Sequence, residues 1–259
     1  MRAKFYKYQG TGNDFVMIDD RNQTFSKSRI LIEQLCNRRF GVGADGLILL
    51  QNAEGYDFRM VYFNADGREG SMCGNGGRCA VRFAEFLELF NAKTTFIAID
   101  GVHEATVSKT EVSLKMCDVS MIRQEENYDF MNTGSPHYIT YVNDIDKAEV
   151  LIKGREIRYS EDFEGGTNVN FVQQLDDNTL CVRTYERGVE DETYSCGTGV
   201  TACALSAHLR YKLLSPIHIL TKGGNLKVAF EKAPNSNSFH TIYLTGSAVQ
   251  VFEGEVTLV

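Results

Sequence analysis

Two stretches of this chain set a thiol where it could do chemistry. Met72-Cys73-Gly74-Asn75-Gly76-Gly77-Arg78-Cys79 and Ser195-Cys196-Gly197-Thr198-Gly199 each place a cysteine before Gly-x-Gly. Each then runs into an apolar segment of helical character, Cys79–Leu87 in the first and Ala202–Leu209 in the second. A helix N-terminus offers N–H groups with no intrahelical acceptor and roughly half a positive charge, which favours a thiolate and also a carboxylate. One such motif is weak, because a Cys-Gly pair before a helix is also what a tight turn looks like, and buried cysteine is common in cores. Two copies in matching context predict one site with two thiol faces.

The 259 residues are 43% hydrophobic and 24% charged, ordinary for a globular protein of one large domain or two of common size. A net charge of −7 gives no clustered cationic surface for phosphates, so neither nucleic acid nor an anionic membrane is an expected partner. There is no run of 18 apolar residues, and the start, Met1-Arg2-Ala3-Lys4-Phe5-Tyr6, is too polar for a signal peptide, so a cytoplasmic location is expected. Seven cysteines form no even, closely spaced framework and are expected to be reduced. No metal site is expected: Cys-x-x-Cys is absent and the five histidines do not cluster.

The elements that must position the thiols follow from periodicity. Lys4–Gln9 and Phe15–Asp19 read as strands around the turn Gly10-Thr11-Gly12-Asn13-Asp14. A short amphipathic helix starts at the N-cap Ser28 and ends near Arg39. Gly41–Gly46 resembles a phosphate loop only superficially, since no Gly-Lys-Ser/Thr follows and a strand, Leu47–Leu50, comes next. It reads as a tight turn. The strand Tyr56–Phe63 delivers Asn64-Ala65-Asp66-Gly67 to the loop before Cys73, and the helix after Cys73 ends near Phe90. Strands then follow at Thr95–Ile99, Glu104–Ser108 and Glu111–Met116, and at His137–Val142 after the turn Thr133–Pro136. His137, read alone at a strand start, is a structural residue. Asp146–Lys153 reads as a short helix stopped by Gly154, and His240–Thr245 and Ala248–Val256 read as strands.

The second half repeats the first. Gly166-Thr167-Asn168-Val169-Asn170-Phe171-Val172 echoes Gly10–Val16, and Thr179–Tyr185 delivers Glu186-Arg187-Gly188 as Tyr56–Phe63 delivers Asn64. Asn64 lies nine residues before Cys73, and Glu186 ten before Cys196. Such a repeat implies two similar domains, residues 1–117, completed by a last strand at about 248–259, and residues 118–247, with the paired loops expected to meet in a cleft.

Gly10–Phe15, Phe63–Gly67, Met72–Gly76, Ser135-Pro136-His137, Asn168–Phe171, Tyr185–Gly188 and Ser195–Gly199, in this order, resemble the diaminopimelate epimerase family. The resemblance implies an α/β (α+β) fold of two pseudo-symmetric domains, each a mixed β-sheet curled around a central helix. It implies an isomerase that interconverts LL- and meso-diaminopimelate with no cofactor, on the route to lysine and peptidoglycan. On this likeness Cys73 and Cys196 are the acid and base, supported by His137 and Glu186, which reverses the structural reading of His137. Gly74, Asn75, Gly197 and Thr198 would give backbone donors to the reacting carboxylate. Asn13, Asn64, Asn168, Glu186 and Arg187 would hold the ammonium and the distal end, the arginine being suited to a bidentate carboxylate. Many members have Asn where this chain has Ser135, and some have Gln at Gly46; both positions are expected to face the distal end. Proline and hydroxyproline racemases share the cysteine pair and are the nearest alternative, although proline has no distal charged centre for Asn13, Asn168 and Arg187. A thiol redox protein is the other. A homodimer is left open.

Overall fold

The structure is a computed structural model that describes residues 2–70 and 72–257. The chain divides into two compact units, Met1–Leu114 with Gly246–Val259, and Lys115–Thr245. In the first, β1 (Arg2–Gly10) and β2 (Asn13–Asp19) form a hairpin, and α1 (Arg29–Cys36) leads to β3 (Gly46–Ala53) and β4 (Tyr56–Asn64). After β4 come α2 (Gly74–Phe86), β5 (Lys93–Ala98), β6 (Gly101–Val107) and β7 (Glu111–Lys115). β2 and β3 are parallel, β3 and β4 antiparallel, β4 and β5 parallel, and β5, β6 and β7 antiparallel.

β3 shows why this order is forced. Leu47, Ile48, Leu49 and Leu50 are all fully buried, the unbroken apolar run of a strand covered on both faces. Leu47 and Leu49 meet Ile32 and Leu35 of α1. On the other face, Ile48 lies 3.2 Å from where a Cβ on Gly76 of α2 would be. Burying each such side chain is worth about 1.5–3 kcal/mol. α2 touches β1, β2, β3, β4 and β6, so the sheet curls around it and nearly every residue from Gly74 to Ala84 is buried.

The second unit repeats the plan with β8 (Ile122–Gln124), β9 (Asp129–Asn132), β10 (Pro136–Tyr141), a 3₁₀ turn at Ile145–Lys147 and α3 (Val150–Arg158). It continues with β11 (Asn168–Gln174), β12 (Thr179–Glu186), β13 (Asp191–Thr193), α4 (Gly197–Tyr211), β14 (Ile217–Thr221), β15 (Gly224–Lys232) and β16 (Phe239–Ser247). β9 and β10 are antiparallel, β10 and β11 parallel, β11 and β12 antiparallel, β12 and β14 parallel, and β14 and β15 antiparallel. α4 touches β9 to β12, β14 and β15 and is buried almost all round. The last strand, β17 (Val249–Thr257), returns to pair with β1 in the first unit.

Several sequence expectations change. β11 sits where β3 does, so its segment is not the counterpart of Gly10–Val16; β10 is the counterpart of β2. A shared Gly-Thr-x-Asn carried too little information against strand pairing. By register, Phe15 stands level with Gly46 and Gly46 with Asn64, as His137 does with Asn168 and, one step beyond the Val169–Tyr185 pair, Asn168 with Glu186. α1 ends at Cys36 rather than near Arg39, and α2 at Phe86 rather than near Phe90. Gly154 does not stop a helix. It lies inside α3, where a Cβ would come within 2.4 Å of Tyr185 Cβ, so its smallness lets α3 pack on β12.

Candidate active site

Both motif cysteines are helix N-caps in extended conformation: Cys73 at φ −107°, ψ 129° and Cys196 at φ −119°, ψ 112°. The first backbone N–H to bond back is Gly77 to Cys73 O (2.7 Å) in α2 and Val200 to Cys196 O (2.9 Å) in α4. The N–H groups of Gly74, Asn75 and Gly76, and of Gly197, Thr198 and Gly199, therefore have no acceptor within their helices, and both thiols stand at the positive ends of long helices.

In the first unit Asn13 and Asn75 gather at Cys73. Asn13 Nδ2 donates to Asp45 Oδ2 (2.7 Å). A carboxylate can only accept, so the amide orientation is fixed and Asn13 Oδ1 faces Cys73 Sγ at 3.7 Å, accepting also from Asn75 Nδ2 at 3.4 Å. Asp45 is held by Arg38 (2.7 Å), which also grips Asp14 through both its Nη atoms at 2.9 and 2.7 Å, and Lys7 pairs with Asp14 at 2.7 Å. Burial pushes the Asp14 carboxyl up, but hydrogen bonds and charge from Arg38 and Lys7 outweigh it and hold the group well below the usual carboxylate range. Asn64 lies at the exposed end of β4 and is tied to Tyr62, whose hydroxyl donates to Asn64 Oδ1 at 2.9 Å. The Tyr62 ring also settles what lies at Gly46: a Cβ there would meet Tyr62 Cε2 and Phe63 O at 2.5 Å, and Gly70 flanks the ring on its other edge. No side chain could be accommodated at Gly46 without displacing that tyrosine.

In the second unit the structure joins Cys196, Thr198 and His137, and adds Asn170, which the sequence reading missed. Asn170 Nδ2 donates to Tyr138 O (3.0 Å), which can only accept, and to His137 Nδ1 (3.1 Å), while its Oδ1 accepts from Thr184 Oγ1 (3.0 Å). His137 Nδ1 is thus an acceptor and Nε2 carries the hydrogen, which it gives to Thr198 Oγ1 at 2.9 Å. The Thr198 hydroxyl hydrogen is then left for Cys196 Sγ, 3.5 Å away. Burial, with a smaller push from the Arg187 charge, lowers the His137 pKa to about 3, so the ring stays neutral and acts as a donor. Gly199 makes room: a Cβ there would fall 2.5 Å from Asn170 Oδ1.

This arrangement carries its own test. Asn170→Asp puts an acceptor where Nδ1 needs a donor, so the proton is expected to move to Nδ1, with alkylation of Cys196 slowed because Thr198 loses its hydrogen-bond donor. ¹⁵N NMR of His137 reads the tautomer directly. A wild-type ring protonated on Nδ1, or titrating near the ordinary histidine value, would sink the assignment.

Asn168, Glu186 and Arg187 stand together at the mouth of β11 and β12. Asn168 is buried and spends its amide on structure: Nδ2 donates to Ser135 Oγ and Pro136 O, both at 2.9 Å, and Oδ1 accepts from Arg187 N at 2.9 Å. Ser135 thus anchors Asn168. Arg187 Nη1 reaches Gly165 O (3.2 Å) and Gly166 O (3.4 Å). Glu186 ends β12, half-buried, and its carbonyl accepts from Glu190 N at 2.8 Å. Among the described residues no three His, Cys, Asp or Glu side chains gather to form a metal cage.

The comparisons with known proteins agree with this pattern. The family model described as diaminopimelate epimerase matches residues 5–122 and 130–251. The chain is 50% identical over 254 residues to the diaminopimelate epimerase of Flavobacterium psychrophilum, covering 96% of this chain and 98% of that one. It is 41% identical over 277 residues to that of Aquifex aeolicus, covering 98% of each. A PhzF-family phenazine biosynthesis protein of Bacillus anthracis shares the fold, with a TM-score of 0.80 at 16% identity over 99% of both chains. Identity of this extent, across two motif-bearing halves that each place a cysteine at the head of a central helix, makes the chain an isomerase that belongs to the diaminopimelate epimerase family.

Proposed function

We propose that this protein interconverts LL- and meso-diaminopimelate in the cytoplasm, on the route to lysine and peptidoglycan, using only its own two thiols as base and acid. The observation that carries the reading is the pair of helix-capping cysteines with unlike partners: the Asn13 carbonyl faces Cys73, and a Thr198 hydroxyl faces Cys196. An acceptor favours the thiol and a donor favours the thiolate. One resting state therefore has Cys196 as base and Cys73 as acid, and the reverse reaction exchanges the roles.

In the forward step the thiolate takes the α-hydrogen as a proton: an S–H bond forms, the Cα–H bond breaks, and its electron pair spreads into the α-carboxylate. The other thiol then gives its proton to the opposite face of Cα, forming the new Cα–H bond. The N–H groups of Gly74, Asn75, Gly197 and Thr198 suit the charge that grows on the carboxylate. His137 acts through Thr198, and Glu186 supports the pair from the end of β12. Asn13, Asn64, Asn168 and Arg187 hold the ammonium and the distal amino-acid end, Asn168 chiefly by fixing the Arg187 backbone.

The deciding experiment incubates reduced protein with LL-diaminopimelate in D₂O and follows configuration and deuterium at the α-carbon. Meso product carrying solvent deuterium is expected. Exchange on proline or hydroxyproline, with none on diaminopimelate, would keep the thiol chemistry and overturn the substrate.

A further inference from the structure

The head of α2 conceals a cation that has found no anion among the described residues. Arg78, one turn into the helix, has no exposed surface, yet its guanidinium meets only neutral acceptors: Nη2 donates to Asn75 Oδ1 (3.0 Å) and Thr11 Oγ1 (3.1 Å), and Nη1 to Gly74 O (3.3 Å). Its Nε has no partner among the described residues. A buried guanidinium ordinarily sits against a carboxylate, because its desolvation is otherwise uncompensated. Thr11, one of those acceptors, holds a left-handed backbone (φ 49°) that a β-branched residue rarely adopts, in the two-residue turn joining β1 to β2.

The surrounding groups narrow the missing counter-charge. The thiols of Cys79 and Cys73 are the ionisable neighbours that favour the Arg78 charge. Cys79 is fully buried, and burial pushes its thiol up to about 12, so it stays neutral. Tyr8, on β1 beside Cys79, is held above the ordinary phenol range by burial and is neutral as well. Asp14 is already engaged by Lys7 and Arg38. The strands β3 and β4 present Ile48 and Met60 to the helix at Gly76. Among the described residues, what remains is negative charge at the head of α2, on Cys73 or on a ligand.

We propose that Arg78 is a positioning residue of the Cys73 half-site: its buried charge favours the Cys73 thiolate and a ligand carboxylate at the head of α2, and its bonds to Asn75 and Thr11 aim the Asn75 amide at Asn13. This rests on the two-thiol reading above and deepens it. The Asn13 carbonyl by itself would hold Cys73 as a thiol. A group that must both lose and regain a proton in each cycle needs an opposing influence, and Arg78 supplies one that salt cannot screen.

The test needs no substrate. Iodoacetamide alkylation of Cys73 is followed by peptide-resolved mass spectrometry against pH in the wild-type protein, Arg78→Met and Arg78→Lys. The neutral variant is expected to alkylate about tenfold more slowly at pH 7, with an unchanged limiting rate at high pH, because fewer thiolates are present at the same accessibility. Arg78→Lys, which keeps the charge and loses the fork, is expected to stay within about threefold of wild type. A folded Arg78→Met with an unaltered profile overturns the proposal. If that variant does not fold, a tenfold loss in Arg78→Lys overturns it instead, since geometry rather than charge would then be responsible. Failure of the wild-type protein to turn over diaminopimelate would remove the proposed substrate without touching this readout.

Discussion

Cys196→Ala is expected to lower the proposed epimerisation at least about 10³-fold, and Cys73→Ala by a similar factor. In the proposed mechanism each thiol serves one face of the α-carbon, so loss of either would leave abstraction without delivery or delivery without abstraction. The double variant is expected to be scarcely slower than either single one, because residues that act as a unit are not additive. Stability should hardly change. Neither sulfur makes a side-chain capping hydrogen bond to its helix, so alanine at these N-caps removes no cap. The measurement is conversion of the LL to the meso isomer by reduced protein, with circular dichroism as the check on folding. Turnover within tenfold of wild type in either folded variant would rule out the two-thiol mechanism. A redox protein would instead show no stereochemical turnover in the parent, and its thiols would cycle through a disulfide.

What the sequence makes legible is local. A cysteine before Gly-x-Gly and an apolar helical run gave both N-caps, since the start of a helix is written in a few consecutive residues, and the strands leading to Asn64 and Glu186 alternated or ran apolar as buried strands do. Illegible features depended on what lay across the fold. Arg78 falls on one helix face with Arg82 and Glu85, both part-exposed, so the amphipathic pattern of α2 points it toward solvent, and only contacts across the fold show its guanidinium enclosed. The one available signal was an arginine flanked by Gly, Cys and Ala where a surface helix would carry more charge. Asn170 looked like one more strand residue; its place beneath His137 follows from the parallel register of β10 and β11. Gly154 read as a stop because helix-interior glycine is unfavourable in isolation, and only the contact with Tyr185 shows the reason for it. The likeness of Gly166–Val172 to Gly10–Val16 points to the wrong pair of strands, because a four-residue likeness cannot compete with a ladder of hydrogen bonds.

The largest stability effect is expected at Asp129, far from either thiol in sequence. This carboxylate, wholly buried at the start of β9, accepts from Arg210 Nη2 at 2.7 Å and Nε at 2.9 Å and from Ser206 Oγ at 2.5 Å. Ser206 in turn meets the Tyr141 hydroxyl at 2.8 Å, and Arg210 reaches the Tyr128 carbonyl at 2.9 Å. The network fastens the last turns of α4 to β9 and β10, at the opposite end of the helix from Cys196, and places a cation at the helix C-terminus. Asp129→Ala strands the guanidinium, whose side chain is 21% exposed, and leaves the Ser206–Tyr141 hydroxyl pair one acceptor short. The expected cost is about 3 kcal/mol, at the low end for breaking a buried pair because water reaches part of the arginine. Urea unfolding measures it as a fall in midpoint at unchanged slope. The companion Asp129→Ala/Arg210→Met is expected to regain at least about half of the loss, because removing the second charge removes the unpaired ion that made the single change expensive. If the double variant proves less stable than Asp129→Ala alone, Arg210 holds α4 through its bonds to backbone carbonyls rather than through Asp129.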